Sequence, residues 1–239
     1  MFYAHASVGT LHVRPVLNMK SDKDIKNMKS ISQEAFEMVK KYKGSHSGEH
    51  GDGIVRSEFH EMMFGKKITN AFEEIKDTFD SKNLLNPGKI VRPFKSNDRS
   101  LMRYKSGYQT EKINTHYDWS NWGQFSDAIE MCNNNGACRK LDSGVMCPSY
   151  RVTKEEKDLV RGRANTLRLA LSNQLPEGSF VSKEMYETME LCVSCKACQR
   201  ECPMSVDMAK MKSEFLSHYY QKFSMRIKDR IISNMPKLI

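Results

Sequence analysis

The stretch "CVSCKACQRECP", Cys192 to Pro203, decides how the second half of this chain is read. Three cysteines at Cys-x-x-Cys-x-x-Cys spacing wrap one face of an iron–sulfur cubane. A fourth, placed before proline, points away and in two-cluster ferredoxins ligates the other cluster. Zinc is the competing occupant, but it takes four ligands, commonly in two Cys-x-x-Cys knuckles. Three tandem cysteines followed by Cys202-Pro203 favour iron.

Sixty residues upstream, "CNNNGACRKLDSGVMCP", Cys132 to Pro148, repeats the rhythm with Asn135 in place of the central cysteine. Ligand exchange between the two sets gives one complete thiolate set: Cys147, Cys192, Cys195 and Cys198. The second set keeps only Cys132, Cys138 and Cys202. An amide oxygen is a poor substitute for a thiolate on iron. The expectation is one robust [4Fe–4S] cluster and a second, degenerate site that is empty, labile or three-iron. The spacing also allows a local alternative in which Cys202 replaces Cys147 as fourth ligand.

All seven cysteines of the 239 residues lie between 132 and 202. An odd number at such short spacing argues against a disulfide framework and for metal ligands in a reducing compartment. The formal charge of +9 suits acidic partners, but no basic stripe interleaved with aromatics is present, so nucleic acid is not expected. No signal peptide is visible, and no apolar run approaches the ~20 residues that span a bilayer. A cytoplasmic protein is expected, at most peripheral at the inner membrane face.

The first hundred residues alternate β-prone and helical patterns. "FYAHA" and "TLHVRPVLNM" read as extended runs broken at Gly9. Helices fit 22–43, with Ile25, Met28, Ile31, Ala35, Met38, Val39 and Tyr42 on one stripe, and 66–80, with Ile68, Ala71, Phe72, Ile75 and Phe79 on one face. "NLLNPGKIVRP" (83–93) reads as a turn and a short strand. Residues 96–124 are polar and aperiodic, a linker. Beyond them the pattern is helical: Thr153 and Glu156 suggest a capping box before a helix to about 174, Ser182 a cap for a helix into Cys192, and 206–223 a further helix. The tail, 221–239, is basic and amphipathic, suited to a packing helix or to a membrane surface or partner.

His5 and His12 flank the Gly9 turn, and Glu49-His50 sits in the glycine-rich "GSHSGEHGDG". Two imidazoles and a carboxylate suit Zn²⁺ or a similar divalent ion with an open position. Histidines simply hydrogen-bonded in a sheet and a loop are the alternative.

Two resemblances organise these readings. Residues 125–220 resemble the α-helical ferredoxin modules of succinate dehydrogenase, glycolate oxidase and heterodisulfide reductase electron-transfer subunits. "AHASVGTLHV", "SGEHGDG" and "NLLNPGKI", in that order over 1–93, resemble the C-terminal part of FAD-linked oxidases. The branch is that of the vanillyl-alcohol oxidase superfamily holding D-lactate and D-2-hydroxyglutarate dehydrogenases. The implied fold class is α+β: a C-terminal piece of an FAD-linked oxidase catalytic domain (1–95), a linker (96–124), an all-α ferredoxin-like iron–sulfur domain (125–220) and the tail.

The second resemblance implies a divalent metal on His5, His12 and Glu49, a base at His50 near the flavin, and Asn86 and Gly88 in a segment packing by the FAD. One departure stands out: the family's Gly-Asp-Gly-Asn between the histidines is here Ser7-Val8-Gly9-Thr10. The implied reaction oxidises a 2-hydroxy acid, with Arg56 or Arg14 holding a second carboxylate. Flavin electrons then pass singly through the cluster to an acceptor, a quinone, cytochrome or electron-transfer protein. The N-terminal FAD-binding domain of such oxidases has no counterpart here, so the chain is expected to be a fragment or one piece of a split enzyme that binds FAD poorly alone. A non-catalytic iron–sulfur subunit docking on a separate flavoprotein is the alternative.

Overall fold

Gly9 has φ +64°, the left-handed region where a residue without Cβ turns at little cost, and it reverses the chain between two strands. The computed structural model describes residues 2–238, and the fold divides into two units between Tyr108 and Gln109. In the first unit, β1 (Phe2–His5) pairs antiparallel with β2 (Thr10–Val13), with Tyr3 opposite His12 and His5 opposite Thr10. Side chains alternate along a strand, so Tyr3, His5, Thr10 and His12 share one face. Phe2, Ala4, Leu11 and Val13 share the other, which is apolar and exposed.

Helix α1 (Asp22–Lys41) begins with Asp22 and Asp24 and ends with Lys40 and Lys41, charges that complement its dipole. Then come α2 (Gly53–Arg56), α3 (His60–Phe64) and α4 (Lys66–Phe79). Helices α1 and α4 form where the periodicity places them, α2 and α3 where no helix was expected, and the expected burial does not follow. Ile31 and Met38 of α1, Tyr42 just past its end, and Ile68, Ile75 and Phe79 of α4 are exposed. A two-stranded ribbon offers no layer broad enough to cover them. Polar ties do much of the work instead: buried Glu58 accepts from Lys29 Nζ at 2.8 Å and from Ser96 N at 2.9 Å.

The strand expected within 83–93 is absent. Asp80 accepts from the N–H groups of Leu84 (2.9 Å) and Leu85 (2.8 Å), and Asn83, Asn86, Ile90 and Arg92 all take positive φ. Left-handed residues this frequent break a pleat, so the segment is a chain of turns.

The second unit is helical: α5 (Phe125–Glu130), α6 (Pro148–Thr153), α7 (Val160–Leu171), α8 (Lys183–Glu190), α9 (Ala197–Glu201), α10 (Met208–Lys222) and α11 (Ile227–Leu238). Phe125, Ile129, Leu159, Leu167, Leu171, Met185, Met189 and Phe215 build its core, and Cys132, Cys138, Cys147 and Cys198 are buried in the same cluster. Ser182 caps α8 through Met185 N at 3.1 Å, as its position suggested, and Asp207 caps α10 through Lys210 N at 3.0 Å.

The Thr153–Glu156 capping box does not form. Lys154, at φ 61°, ends α6 and turns the chain, and Glu156 accepts from Arg161 Nε at 2.6 Å instead. Helix α7 starts only at Val160, packed so tightly on the preceding turn that a Cβ at Gly162 would lie 2.0 Å from the Glu156 carbonyl. Among the described residues no helix is long and apolar enough to cross a membrane. Helix α11 leaves Ile227, Ile231, Ile232 and Met235 exposed.

One buried carboxylate ties residues 109–124 into this unit. Glu214 on α10, fully buried, accepts from His116 N (2.8 Å), Tyr117 N (3.0 Å) and Trp119 Nε1 (2.9 Å), with His218 Nε2 at 3.1 Å. Burial alone would raise its pKa, but these donors outweigh it and hold the carboxyl below its ordinary value. A depressed folded pKa contributes stability above the unfolded value and loses it as pH falls through the folded one. Glu214→Ala is expected to cost about 3–5 kcal/mol, because it strands buried donors and breaks the network. Chemical denaturation at neutral pH checks this, and the gap to wild type should narrow in acid.

Candidate functional site: a four-cysteine pocket and a histidine–glutamate cluster

Cys147, Cys192, Cys195 and Cys198 line one pocket, together with Val160, Arg163, Met208 and Ala209. Each arrives by a different local device. Cys147 is the N-cap of α6, with Pro148 in the first helical position, where a missing N–H costs nothing. Cys192 follows the end of α8, its N–H bonded to Met189 O at 3.1 Å. Ser194 and Lys196, at φ 54° and 60°, curl the chain around Cys195. Cys198 sits in α9. Cys202 does not line this pocket. Of the four, Cys195 is exposed, Cys192 half-buried and the other two buried, so Cys195 marks the solvent-facing corner.

Four thiols on one pocket, three of them at Cys-x-x-Cys-x-x-Cys spacing, suit the four iron corners of a cubane. Burial pushes the Cys198 thiol up to about 11, partly offset by the N–H groups of Met208 and Ala209. Such a thiol is a ligand that loses its proton to a metal.

One cation, Arg163, lines this pocket and a second, Lys212, holds the backbone of Cys192; sequence reasoning missed both. Arg163 on α7 is fully buried. Its Nε donates to Thr188 O at 2.9 Å, Nη2 to Ser149 Oγ at 3.1 Å and Nη1 to Cys147 Sγ at 3.6 Å, with the Asp158 carboxylate at 3.8 Å. Lys212 on α10 donates to the carbonyls of Cys192 (2.5 Å) and Glu190 (3.2 Å), and burial lowers its pKa. The "RGR" of residues 161–163 was the available signal: an arginine on the apolar side of a helix, beside a glycine that permits close packing.

The degenerate set is laid out differently. Cys132 and Cys138 are buried and Cys202 half-buried. Burial raises the Cys138 pKa. Asn135, at the position of the missing cysteine, uses its side chain locally: Oδ1 accepts from Ala137 N at 2.8 Å and Nδ2 donates to Asn133 Oδ1 at 2.6 Å.

In the first unit the hairpin register brings His5 and His12 together, their rings 5.0 Å apart. Tyr3, opposite His12, stacks on it at 4.1 Å. Glu49 reaches both: Oε2 lies 3.2 Å from His5 Nε2 and Oε1 lies 2.9 Å from His12 Nε2. One donor atom from each falls within 4.8 Å of the others. His50, largely exposed, has Nε2 3.3 Å from Glu49 Oε1. Arg56 ends α2, and Arg14 lies over the Tyr3 ring at 4.7 Å. Asn86 and Gly88 occupy left-handed turn positions. A Cβ at Gly88 would meet the Phe94 ring at 2.0 Å, so packing within this chain already accounts for that glycine.

A second cluster went unnoticed in the sequence: His46, Asp52 and His60 also gather one donor atom each within 4.8 Å. Burial holds His46 below its ordinary pKa, against the pull of Asp52.

The match to known proteins follows the same division. Residues 1–90 match the family described as FAD linked oxidases, C-terminal domain, and residues 128–206 match that described as 4Fe-4S dicluster domain. The chain therefore carries the C-terminal domain of FAD linked oxidases followed by a 4Fe-4S dicluster domain. Among curated relatives, the D-2-hydroxyglutarate dehydrogenase of Haemophilus influenzae is 32% identical, covering 98% of this chain and 26% of the relative. That of Escherichia coli is 29% identical over the same shares. The D-lactate dehydrogenase of Archaeoglobus fulgidus is 36% identical over 38% of this chain and 19% of its own length. The chain thus spans about a quarter of the relatives it matches nearly end to end. No solved structure matches it.

Proposed function

We propose that this chain forms part of an FAD-dependent dehydrogenase of D-2-hydroxy acids, with D-2-hydroxyglutarate the foremost candidate, and that electrons leave the flavin through one [4Fe–4S] cluster. The carrying observation is the convergence of His5, His12 and Glu49 beside an exposed His50. They lie in a segment that matches an FAD-linked oxidase domain and is followed in the same chain by a four-cysteine pocket. Relatives that match nearly the whole of this chain are named D-2-hydroxyglutarate dehydrogenase, which supports the substrate class.

A divalent ion of the Zn²⁺ type at the first cluster would supply Lewis acidity toward a substrate hydroxyl. His5, His12 and Glu49 would hold it, with Tyr3 fixing the His12 ring by stacking. His50 takes the hydroxyl proton, oriented by Glu49 and open to solvent for release. Arg56 or Arg14 receives the distal carboxylate of a dicarboxylic substrate. Cys147, Cys192, Cys195 and Cys198 would hold the cluster, which would supply one-electron transfer. The exposed apolar face of the hairpin, Phe2, Leu11 and Val13, suits docking of an FAD-binding domain or chain. The exposed apolar side of α11 suits peripheral contact with a membrane carrying the acceptor.

The test supplies an FAD-binding domain, in the same polypeptide or as a second chain, and follows reduction of an artificial acceptor by D-2-hydroxyglutarate and D-lactate. Turnover is expected, with His50→Gln lowering kcat by about 10²–10⁴-fold. A cluster that accepts electrons in a complex oxidising neither acid would overturn the catalytic reading in favour of a plain electron-transfer subunit.

A further inference from the structure

His46 and Asp52 flank the Glu49 loop, and His60 opens α3. The His46 and His60 side chains are 1% and 4% exposed, that of Asp52 17%. Phe36 and Phe64 pack edge-on against the His46 ring, and Phe72 against that of His60, so apolar surface walls the cluster.

The hydrogen bonding of this cluster lacks a positive centre. His60 Nδ1 lies 3.3 Å from Ile90 O, and a carbonyl only accepts, so that nitrogen carries the proton. In the neutral ring, the Nε2 lone pair then faces a carboxylate oxygen, Asp52 Oδ2, at 2.7 Å. That distance is a hydrogen bond's and calls for a further positive charge on the pair, which a proton supplies or a metal ion bound by the same lone pairs supplies in its place. On the other side, neither nitrogen of His46 has a hydrogen-bond partner, and neither does Asp52 Oδ1. Yet His46 Nε2 lies 3.4 Å from that oxygen, close to the N···O edge of about 3.3 Å expected of tetrahedral zinc with bonds of about 2.0–2.1 Å.

We propose that His46, Asp52 and His60 form a second cation site, for a divalent transition metal of the zinc class. The Ile90 carbonyl holds the outer N–H of His60 in the way that orients metal-bound imidazoles. Two histidines and a carboxylate match the ligand preference of such ions, and the carboxylate offsets part of their charge. The ion would pin the loop bearing Glu49 and His50 onto α3. The site shares no ligand with the cluster formed by His5, His12 and Glu49.

The test uses the full chain with its iron–sulfur cluster reconstituted anaerobically on Cys147, Cys192, Cys195 and Cys198. Its H5Q/H12Q background removes the other histidine cluster and also carries C132S, C138S and C202S, so that no free thiol competes. After incubation with zinc chloride and desalting, about one equivalent of zinc is expected to remain. Its X-ray absorption should show nitrogen and oxygen neighbours without sulfur. Adding H46Q/H60Q should weaken zinc retention by at least about tenfold. No zinc in the H5Q/H12Q protein, sulfur ligation there, or retention unchanged by H46Q/H60Q would each overturn the proposal. The first two readouts come from a protein with the triad intact, so misfolding of the further variant does not bear on them. The difference made by H5Q/H12Q in the same cysteine background reports separately on the other cluster.

Discussion

Cys147→Ala is expected to strip the protein of most of its [4Fe–4S] content, while Cys202→Ala keeps it. Iron and acid-labile sulfide analysis of anaerobically purified protein, with visible absorption, reads the difference. Four cysteines line one pocket and Cys147 is among them, although it lies 45 positions before the next of them in the chain, Cys192. Cys202, only four residues beyond Cys198, lies outside that pocket. The packing explains why the distant cysteine arrives. Pro148 starts α6, Arg163 draws Cys147 Sγ and Ser149 Oγ toward α7, and Asp158 O lies 3.6 Å from the same sulfur. Three thiolates leave one iron corner without a protein ligand. Cluster loss in Cys202→Ala with retention in Cys147→Ala would show that the set closes locally and that ligand exchange is wrong.

Arg163→Met should have the next largest effect, on two independent readouts. The guanidinium is fully buried and donates to Thr188 O, Ser149 Oγ and Cys147 Sγ. Its removal leaves Asp158, 1% exposed, as a buried carboxylate without its cation. Breaking a buried pair from one side costs about 3–5 kcal/mol, to be measured by denaturation of the cluster-loaded protein. The second readout is the midpoint potential from an EPR-monitored redox titration. Hydrogen bonds to ligand sulfur and nearby positive charge favour the more negative, reduced cluster, so the variant's potential should fall. Arg163→Lys keeps the charge but loses the fork, and should fall between the two. An unchanged potential together with a stability loss below about 1 kcal/mol would leave this arginine no role at the cluster.

These two residues mark the limit of what the chain reveals before it folds. Cys192, Cys195 and Cys198 are legible because cluster geometry imposes a short fixed spacing on neighbours. Ser182 is legible because a cap acts three residues away, on Met185 N. Arg163 is not: its partners Cys147 and Thr188 lie 16 and 25 residues off. Glu214 reads as one more charge on a helix, yet its donors lie up to 98 residues back. The Thr153–Glu156 pattern failed for the same reason in reverse, since a left-handed Lys154 and an ion pair to Arg161 outweighed a local motif.

The histidines divide along that line too. His5 and His12 are visible because a two-stranded register and one left-handed glycine place them on a common face. His46 and His60 become a cluster only when α3 folds back beside the Glu49 loop.

From the chain alone come the order of the two modules, the positions of α1, α4, α8 and α10, the hairpin and the thiolates available to iron, since local geometry and ligand chemistry act over a few residues. Only the tertiary structure decides which cysteine closes the pocket, which buried charges face it and that a second histidine cluster exists. Those depend on burial and on contacts between segments far apart in sequence, where the cost of an unpaired polar group selects the partner.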